Sequence, residues 1–293
     1  MTQPASTAPV EADVRWPAAS AAKGLSPLFG RVAWTILAFG LVMFLVTPFL
    51  MIALTSVGSD WFGKQWLPGG LTLKWFELGL RTVPVGQYLL NTVIIGILAA
   101  LLSLALGIPI AWVVSKMDFR YRALLLVLFL MPRMVPPLSY AIGLSKFFYS
   151  VELIDTHLGV ALSHVSICLP YVVIILATAF DALDDRILNA GRVLGANGGT
   201  FFLRVLLPLV LPGVISAGLF AFITSYNEFT MTIMTYGPHT ITMPIMTYSI
   251  IGEGYWEVGA AVSMIIMLPS VAFLFWVINK MNPEQLLGGV KGA

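Results

Sequence analysis

Asn189–Leu209 reads NAGRVLGANGGTFFLRVLLPL, a polar, basic and glycine-rich stretch set between two segments without Asp, Glu, Lys or Arg, His157–Phe180 and Val205–Asn227. Each flanking segment is long enough to cross a bilayer, which takes about 20 apolar residues as a helix. The stretch is therefore a loop outside the hydrocarbon, and the chain around it reads as membrane helices.

The whole composition agrees. Of 293 residues, 58% are apolar and only 10% charged, and the mean hydropathy is +0.91. Soluble domains carry about 25% charged residues, so an aqueous globule is excluded. The net charge of +2, without a basic run, gives no purchase on nucleic acid. The single cysteine, Cys168, allows no disulfide framework. Residues 1–30 are Ala-, Pro- and Ser-rich and read as a disordered lead-in.

Six spans are expected, roughly Val32–Val57, Val85–Ser115, Ala123–Phe148, Leu158–Phe180, Leu209–Met231 and Val258–Lys280. Their continuous apolar character favours helices over a barrel, whose strands alternate. The loops on one side carry Arg15, Lys23, Arg31, Lys116, Arg120, Arg122, Arg186, Arg192, Arg204, Lys280 and Lys291, against Lys64, Lys74, Arg81 and Lys146 on the other. The positive-inside rule puts both termini and the Asn189 loop in the cytoplasm; the resemblance given below implies a bacterial inner membrane. Three parts follow: an N-terminal segment 1–30, a membrane domain 31–280 with its loop at about 181–208, and a tail 281–293. Between Gly58 and Pro84, Trp61, Trp66, Trp75 and Phe76 read as an interfacial aromatic belt or as a contact surface for an external partner.

Within the loop, Ile187, Ala190, Val193 and Leu194 recur at helical spacing, Gly195-Ala-Asn-Gly-Gly breaks the helix, and Thr200 is placed to cap the next one. The result is a helix–turn–helix knob. Its pattern resembles the cytoplasmic EAA loop of permease subunits of binding-protein-dependent, type I ABC importers. Nine residues separate Gly195 from Val205-Leu206-Leu207-Pro208, as in that motif, while Asn189-Ala190-Gly191 stands where the family has Glu-Ala-Ala.

The resemblance, over roughly Trp66–Lys280, implies an all-α permease fold of six transmembrane helices. It also implies a cytoplasmic ATP-binding subunit, a second permease subunit that is a different chain, a periplasmic solute-binding protein, and no cofactor of the chain's own. Coupling to the ATPase would fall to Asn189, Ala190, Gly191, Arg192, Gly195, Leu207 and Pro208. Ser225-Tyr226-Asn227-Glu228-Phe229, Gly237-Pro238 and Thr242-Met243-Pro244 are most similar to polyamine (spermidine/putrescine)-type permeases. The tail Leu286–Ala293 resembles sugar-importer permeases.

Ionisable groups at membrane depth are functional candidates by default. Arg133 lies eleven residues past Arg122, about 16 Å deep at 1.5 Å per residue, beside Pro132 and Pro136-Pro137, where a broken helix is expected. It faces either the solute path or a structural partner. Polyamine-type permeases often have an acidic residue here, so Arg133 favours an anionic solute such as a carboxylate or phosphonate instead. Tyr140, Tyr226, Asn227 and Glu228 complete the candidates for the path. Glu228 can pair with a solute cation, Arg133 or Lys146. Asn91 and His164 read as hydrogen-bond partners between helices, and Met231, Met234, Met243 and Met246 as packing rather than a metal site.

No P-loop, His-Glu-x-x-His, cysteine pair or Gly-x-Ser-x-Gly occurs, so no enzymatic centre is read. An ion-coupled secondary transporter is the competing class, although no internal repeat is evident.

Overall fold

The computed structural model describes residues 27–61, 67–117, 120–184, 186 and 198–280. The chain divides after Met51 into two units. Helix α1, Pro27–Val57, begins in the first unit, where its described side chains are exposed and almost all apolar. Such a surface suits lipid rather than water.

The second unit opens with a short antiparallel pair, β1 (Gly58–Ser59) and β2 (Gly70–Leu71), followed by α2 (Lys74–Thr82). Helix α2 turns Gly79 toward Val258 and Val262 and exposes Glu77 and Arg81, which pair one turn apart at 2.6 Å. Trp75 turns inward, donating from Nε1 to the Gly58 carbonyl at 2.7 Å, so it belongs to the packing of this segment. Trp66 lies outside the described residues.

The core consists of α3 (Val85–Lys116), α6 (His157–Asp181) and α8 (Leu207–Tyr226), which pack against each other along their lengths. On α3, Gly96, Ala100, Ser103, Gly107 and Ala111 recur three or four apart and are buried, a stripe of small residues that lets helix axes approach. A Cβ added at Gly107 would stand 2.6 Å from Val172 Cγ1, and one at Gly213 would stand 2.6 Å from Ala179 Cβ. Phe180, Leu176, Val172 and Cys168 fill the space from the α6 side. Trp112 meets Phe180 edge-on at 5.4 Å.

The expected third span is two helices, α4 (Arg122–Met134) and α5 (Pro137–Ser150), with Val135 and Pro136 between them. Pro136 and Pro137 cannot donate backbone hydrogen bonds, and a residue before proline leaves the helical region, as Val135 does at ψ 138°. The break falls where the prolines predict it.

Chain re-entry after the loop runs through α7 (Gly198–Phe201), a π turn over Phe202–Leu206, and α8. Pro208 has no N–H for the Arg204 carbonyl, and the helix widens just ahead of it, with Leu207 N donating to Phe202 O. Thr200, expected to cap the helix, lies within α7. The fifth span ends at Tyr226, short of the expected Met231. Helices α9 (Thr232–Thr235), α10 (Met243–Gly252) and α11 (Trp256–Lys280) complete the unit.

Among the described residues, Arg31–Val57, Val85–Lys116, His157–Asp181 and Phe202–Tyr226 are single helices long and apolar enough to cross a membrane.

Candidate functional site

The polar groups gather where α8 ends and the chain folds back as Asn227–Thr242. Glu228 turns its carboxylate onto its own backbone. Oε1 accepts from Thr230 N at 3.0 Å, and Oε2 accepts from Met231 N at 2.8 Å and Thr232 N at 3.2 Å. The carboxylate thereby satisfies N–H groups at the start of α9, which no preceding turn of helix can reach.

Beside it stands His164 of α6, buried, with Nδ1 2.6 Å from Ser225 Oγ and Nε2 2.8 Å from Thr232 Oγ1. Its Nε2 lies 3.7 Å from Glu228 Oε2. One histidine thus bridges the last turn of α8 to the first of α9, the interhelical role read from the sequence.

A second group fixes the loop that follows. Asn91 of α3 donates from Nδ2 to the carbonyls of His239 and Ile241, both at 3.0 Å, and its Oδ1 lies 2.9 Å from His157 Nε2. Met243 N donates to Thr92 Oγ1 at 2.9 Å. Asp155, in the turn between α5 and α6, has Oδ1 accepting from His239 N, Thr240 N and Thr240 Oγ1, and Oδ2 2.6 Å from His239 Nδ1. Burial by itself would raise the Asp155 carboxyl pKa, but the bonds from His239 and Thr240 outweigh it and hold the group below the usual carboxylate range.

The other path candidates are dispersed around this seam. Tyr140, in the first turn of α5, has its hydroxyl 3.3 Å from Ser166 Oγ and packs in a cluster with Met231 and Met234. Tyr226 is buried and donates to the Ile266 carbonyl at 3.2 Å. Asn227 is exposed, with Nδ2 donating to Ile223 O at 3.0 Å. Arg133 sits in the last turn of α4, and its side chain lies outside the described part of the structure. Met231 and Met243 are buried in apolar clusters, as packing requires.

On the loop side, Asn189, Ala190, Gly191, Arg192 and Gly195 lie outside the described residues, while Leu207 and Pro208 open α8. Asp184 Oδ1 accepts from Arg186 N at 2.8 Å. Among the described residues no three His, Cys, Asp or Glu side chains gather as a metal site. Asp155, Thr232 and Thr240 were not singled out from the sequence. The partners of Asp155 come 84 and 85 residues later, and nothing local marks them.

Residues 93–284, from the third turn of α3 onward, match the family described as binding-protein-dependent transport system inner membrane component. The chain belongs to this family. The permease is similar to the spermidine/putrescine transport system permease protein PotC of Haemophilus influenzae, at 26% identity over 231 residues covering 78% of this chain and 89% of that protein. It is also similar to the trehalose transport system permease protein SugB of Mycobacterium tuberculosis, at 25% identity over 267 residues covering 88% and 97%.

Among solved structures, a bacterial ABC transporter involved in import of the acidic polysaccharide alginate has a chain that superposes with a TM-score of 0.67 at 18% identity. The match covers 87% of this permease and 97% of that chain. The fold is the all-α membrane fold of ABC importer permeases. The permease is a multi-pass inner-membrane subunit of such an importer, and its family is one of non-catalytic transport components.

Proposed function

We propose that the permease forms half of a solute pathway, completed by a second and different permease chain, loaded by a periplasmic binding protein and driven by a separate cytoplasmic ATP-binding subunit. The observation that carries this reading is the broken crossing at α4–α5. Met134, Val135, Pro136 and Pro137 are exposed, and Val135 and Pro136 are non-helical. Irregular backbone at membrane depth is tolerated against protein or a water-filled cavity, not against lipid. This face therefore belongs to the path and to the companion permease, with Arg133 one residue before its edge.

Both termini, and the flanking segments 1–30 and 281–293, are assigned to the cytoplasm on the charge bias of the loops. The knob Asn189–Pro208 engages the ATP-binding subunit there, through Asn189, Ala190, Gly191, Arg192, Gly195, Leu207 and Pro208.

The solute is small and polar. Similarity to the spermidine/putrescine permeases supports a polyamine-type system. Arg133 near mid-depth supports an anionic solute, a carboxylate or phosphonate, because a fixed cation repels a polyamine. Uptake of labelled putrescine against a labelled carboxylate, in Arg133 and Arg133→Glu permeases, separates the two. Glu228 serves the path by shaping the turn that carries Tyr226 and Asn227, since its carboxylate is engaged with backbone N–H groups.

The class is tested by pulling the tagged permease from its own membranes in mild detergent and identifying what accompanies it. An ATP-binding protein and a second permease are the expected companions. A chain recovered alone, with uptake driven by an ion gradient, would replace this reading with secondary transport.

A further inference from the structure

Helix α5 packs one face and leaves the other open. Ala141 is buried with Ile167 and Met231, Tyr140 and Leu144 pack against that cluster, and Phe148 is buried one turn further on. At 3.6 residues per turn the opposite face is Ser139, Gly143, Lys146 and Ser150, and all four are exposed. A Cβ added at Gly143 would meet nothing within 4 Å. Among the described residues no carboxylate pairs with Lys146. Of the acids in the turn that follows, Glu152 is exposed and Asp155 is engaged with His239 and Thr240.

The exposed faces of α1 and α4 are different. That of α1 is almost all apolar, and that of α4 is Leu124, Val127, Leu128 and Met131. Both suit lipid. A face that turns a glycine, two serines and an unpaired lysine outward gains nothing from hydrocarbon, and charged side chains on crossing helices face a bundle interior or a water-filled cavity. A lysine that merely reaches up to the membrane surface covers apolar surface with its stem, whereas the face below Lys146 continues as Gly143 and Ser139. Lys146 lies nine residues past Pro137, about 14 Å beyond the joint at 1.5 Å per residue.

We propose that Ser139, Gly143, Lys146 and Ser150 line the outer half of the solute pathway, and that Lys146 selects an anionic solute there by direct charge contact. The proposal rests on the pathway assigned above to the α4–α5 crossing.

The test uses the whole importer in right-side-out membrane vesicles and two methanethiosulfonate reagents, one bearing a sulfonate and one a trimethylammonium group. Cys168 is the single cysteine and is buried, so the wild type supplies the unreactive background. Gly143→Cys and Ser139→Cys should react, and Leu128→Cys on α4 should not. With rates normalised to a free thiol in solution, the sulfonate should be favoured at Gly143→Cys. Adding Lys146→Glu should shift that ratio toward the cationic reagent about tenfold. Trapping the ATP-binding subunit with nucleotide and vanadate should change the Gly143→Cys rate about threefold or more, because a pathway alternates between states and a static outer surface does not.

No reaction at either α5 cysteine would mean that lipid or the companion permease covers this face, and would overturn the proposal. A reagent ratio unmoved by Lys146→Glu would remove the selecting role, and a rate indifferent to trapping would remove the face from the pathway; either overturns it. If Lys146→Glu fails to accumulate, Lys146→Gln takes its place, with a shift of about threefold expected. A permease that brings no ATP-binding subunit out of the membrane counts against the functional reading instead. The reagent ratio, measured without trapping, then still decides whether Lys146 sets the charge preference of this face.

Discussion

The α3–α6–α8 core and the α4–α5 crossing solve opposite problems with the same apolar alphabet. In the core, small residues bring backbones together until a single added Cβ at Gly107 collides with Val172. Asn91 and His164 there are matched to partners on other elements. In the α4–α5 crossing, prolines open the helix and the joint is left exposed. Lipid offers no hydrophobic drive to hold helices together, so permanent contacts depend on close fit and satisfied hydrogen bonds. The crossing keeps such contacts in α5, where Ala141 is buried against Ile167 and Met231, but the joint itself, residues 134–137, lies exposed.

The contrast breaks first at its tightest point. Gly107→Leu should cost about 3 kcal/mol or more, since overpacking costs 1–3 and here the neighbouring helix must shift as well. The expected outcome is loss of the protein from membranes, read by detergent-extracted yield and thermal stability. Retained yield and melting temperature would mean that the core is looser than its glycines imply.

Next come the polar pins. Removing one partner strands a buried group at a cost of about 1–3 kcal/mol. His164→Leu should therefore lower the melting temperature clearly, and His164→Gln should restore part of the loss by supplying a donor and an acceptor. Equal behaviour of the two variants would reduce His164 to a space-filler.

A smaller effect is expected at Asp155, whose partner His239 is largely exposed; exposed pairs contribute about 0.2–1 kcal/mol. Burial raises its carboxyl pKa, the His239 and Thr240 bonds lower it by more, and the net folded value lies below the unfolded one. Its stabilisation is thus fully present above the unfolded value of about 3.9 and is lost as pH falls through the folded value. Melting curves of the wild type and Asp155→Asn should differ most at neutral pH and converge in acid. A gap that widens in acid would reverse the sign.

The smallest change in stability belongs to the other region. Pro136→Ala should alter melting within about 1 kcal/mol, while solute uptake by the assembled importer falls. Undiminished uptake would remove the broken crossing from the pathway.

Much of this contrast was legible in the sequence. The helix break was visible because proline acts locally, on its own N–H and on the residue before it. The spans were visible because the lack of charge is a property of a continuous run. Asn91 and His164 were recognisable as bonding groups from their setting alone, but their partners were not, since a hydrogen bond across 61 or 148 residues leaves no local periodicity. The same blindness hid Asp155. Glu228 was a candidate for pairing with a cation; that its carboxylate accepts from the N–H groups of Thr230, Met231 and Thr232 is set by turn geometry and left no mark in the sequence. The end of the fifth span was misjudged for a related reason: Phe229 and Met231 are as apolar as the helix before them, and the turn at Asn227 is made by the fold-back that Glu228 and His164 secure.

The bonds of Asn91 also impose a schedule. Its acceptors at His239 and Ile241 lie 148 and 150 residues further along the chain. At ribosomal speeds of about 5–20 residues per second, α3 waits on the order of ten seconds for them after it is made. During that interval a polar amide destined for a buried position has no native partner, and α3 is not yet a finished membrane helix. The first half of this permease is completed by the second, and its assembly is an event of the end of translation.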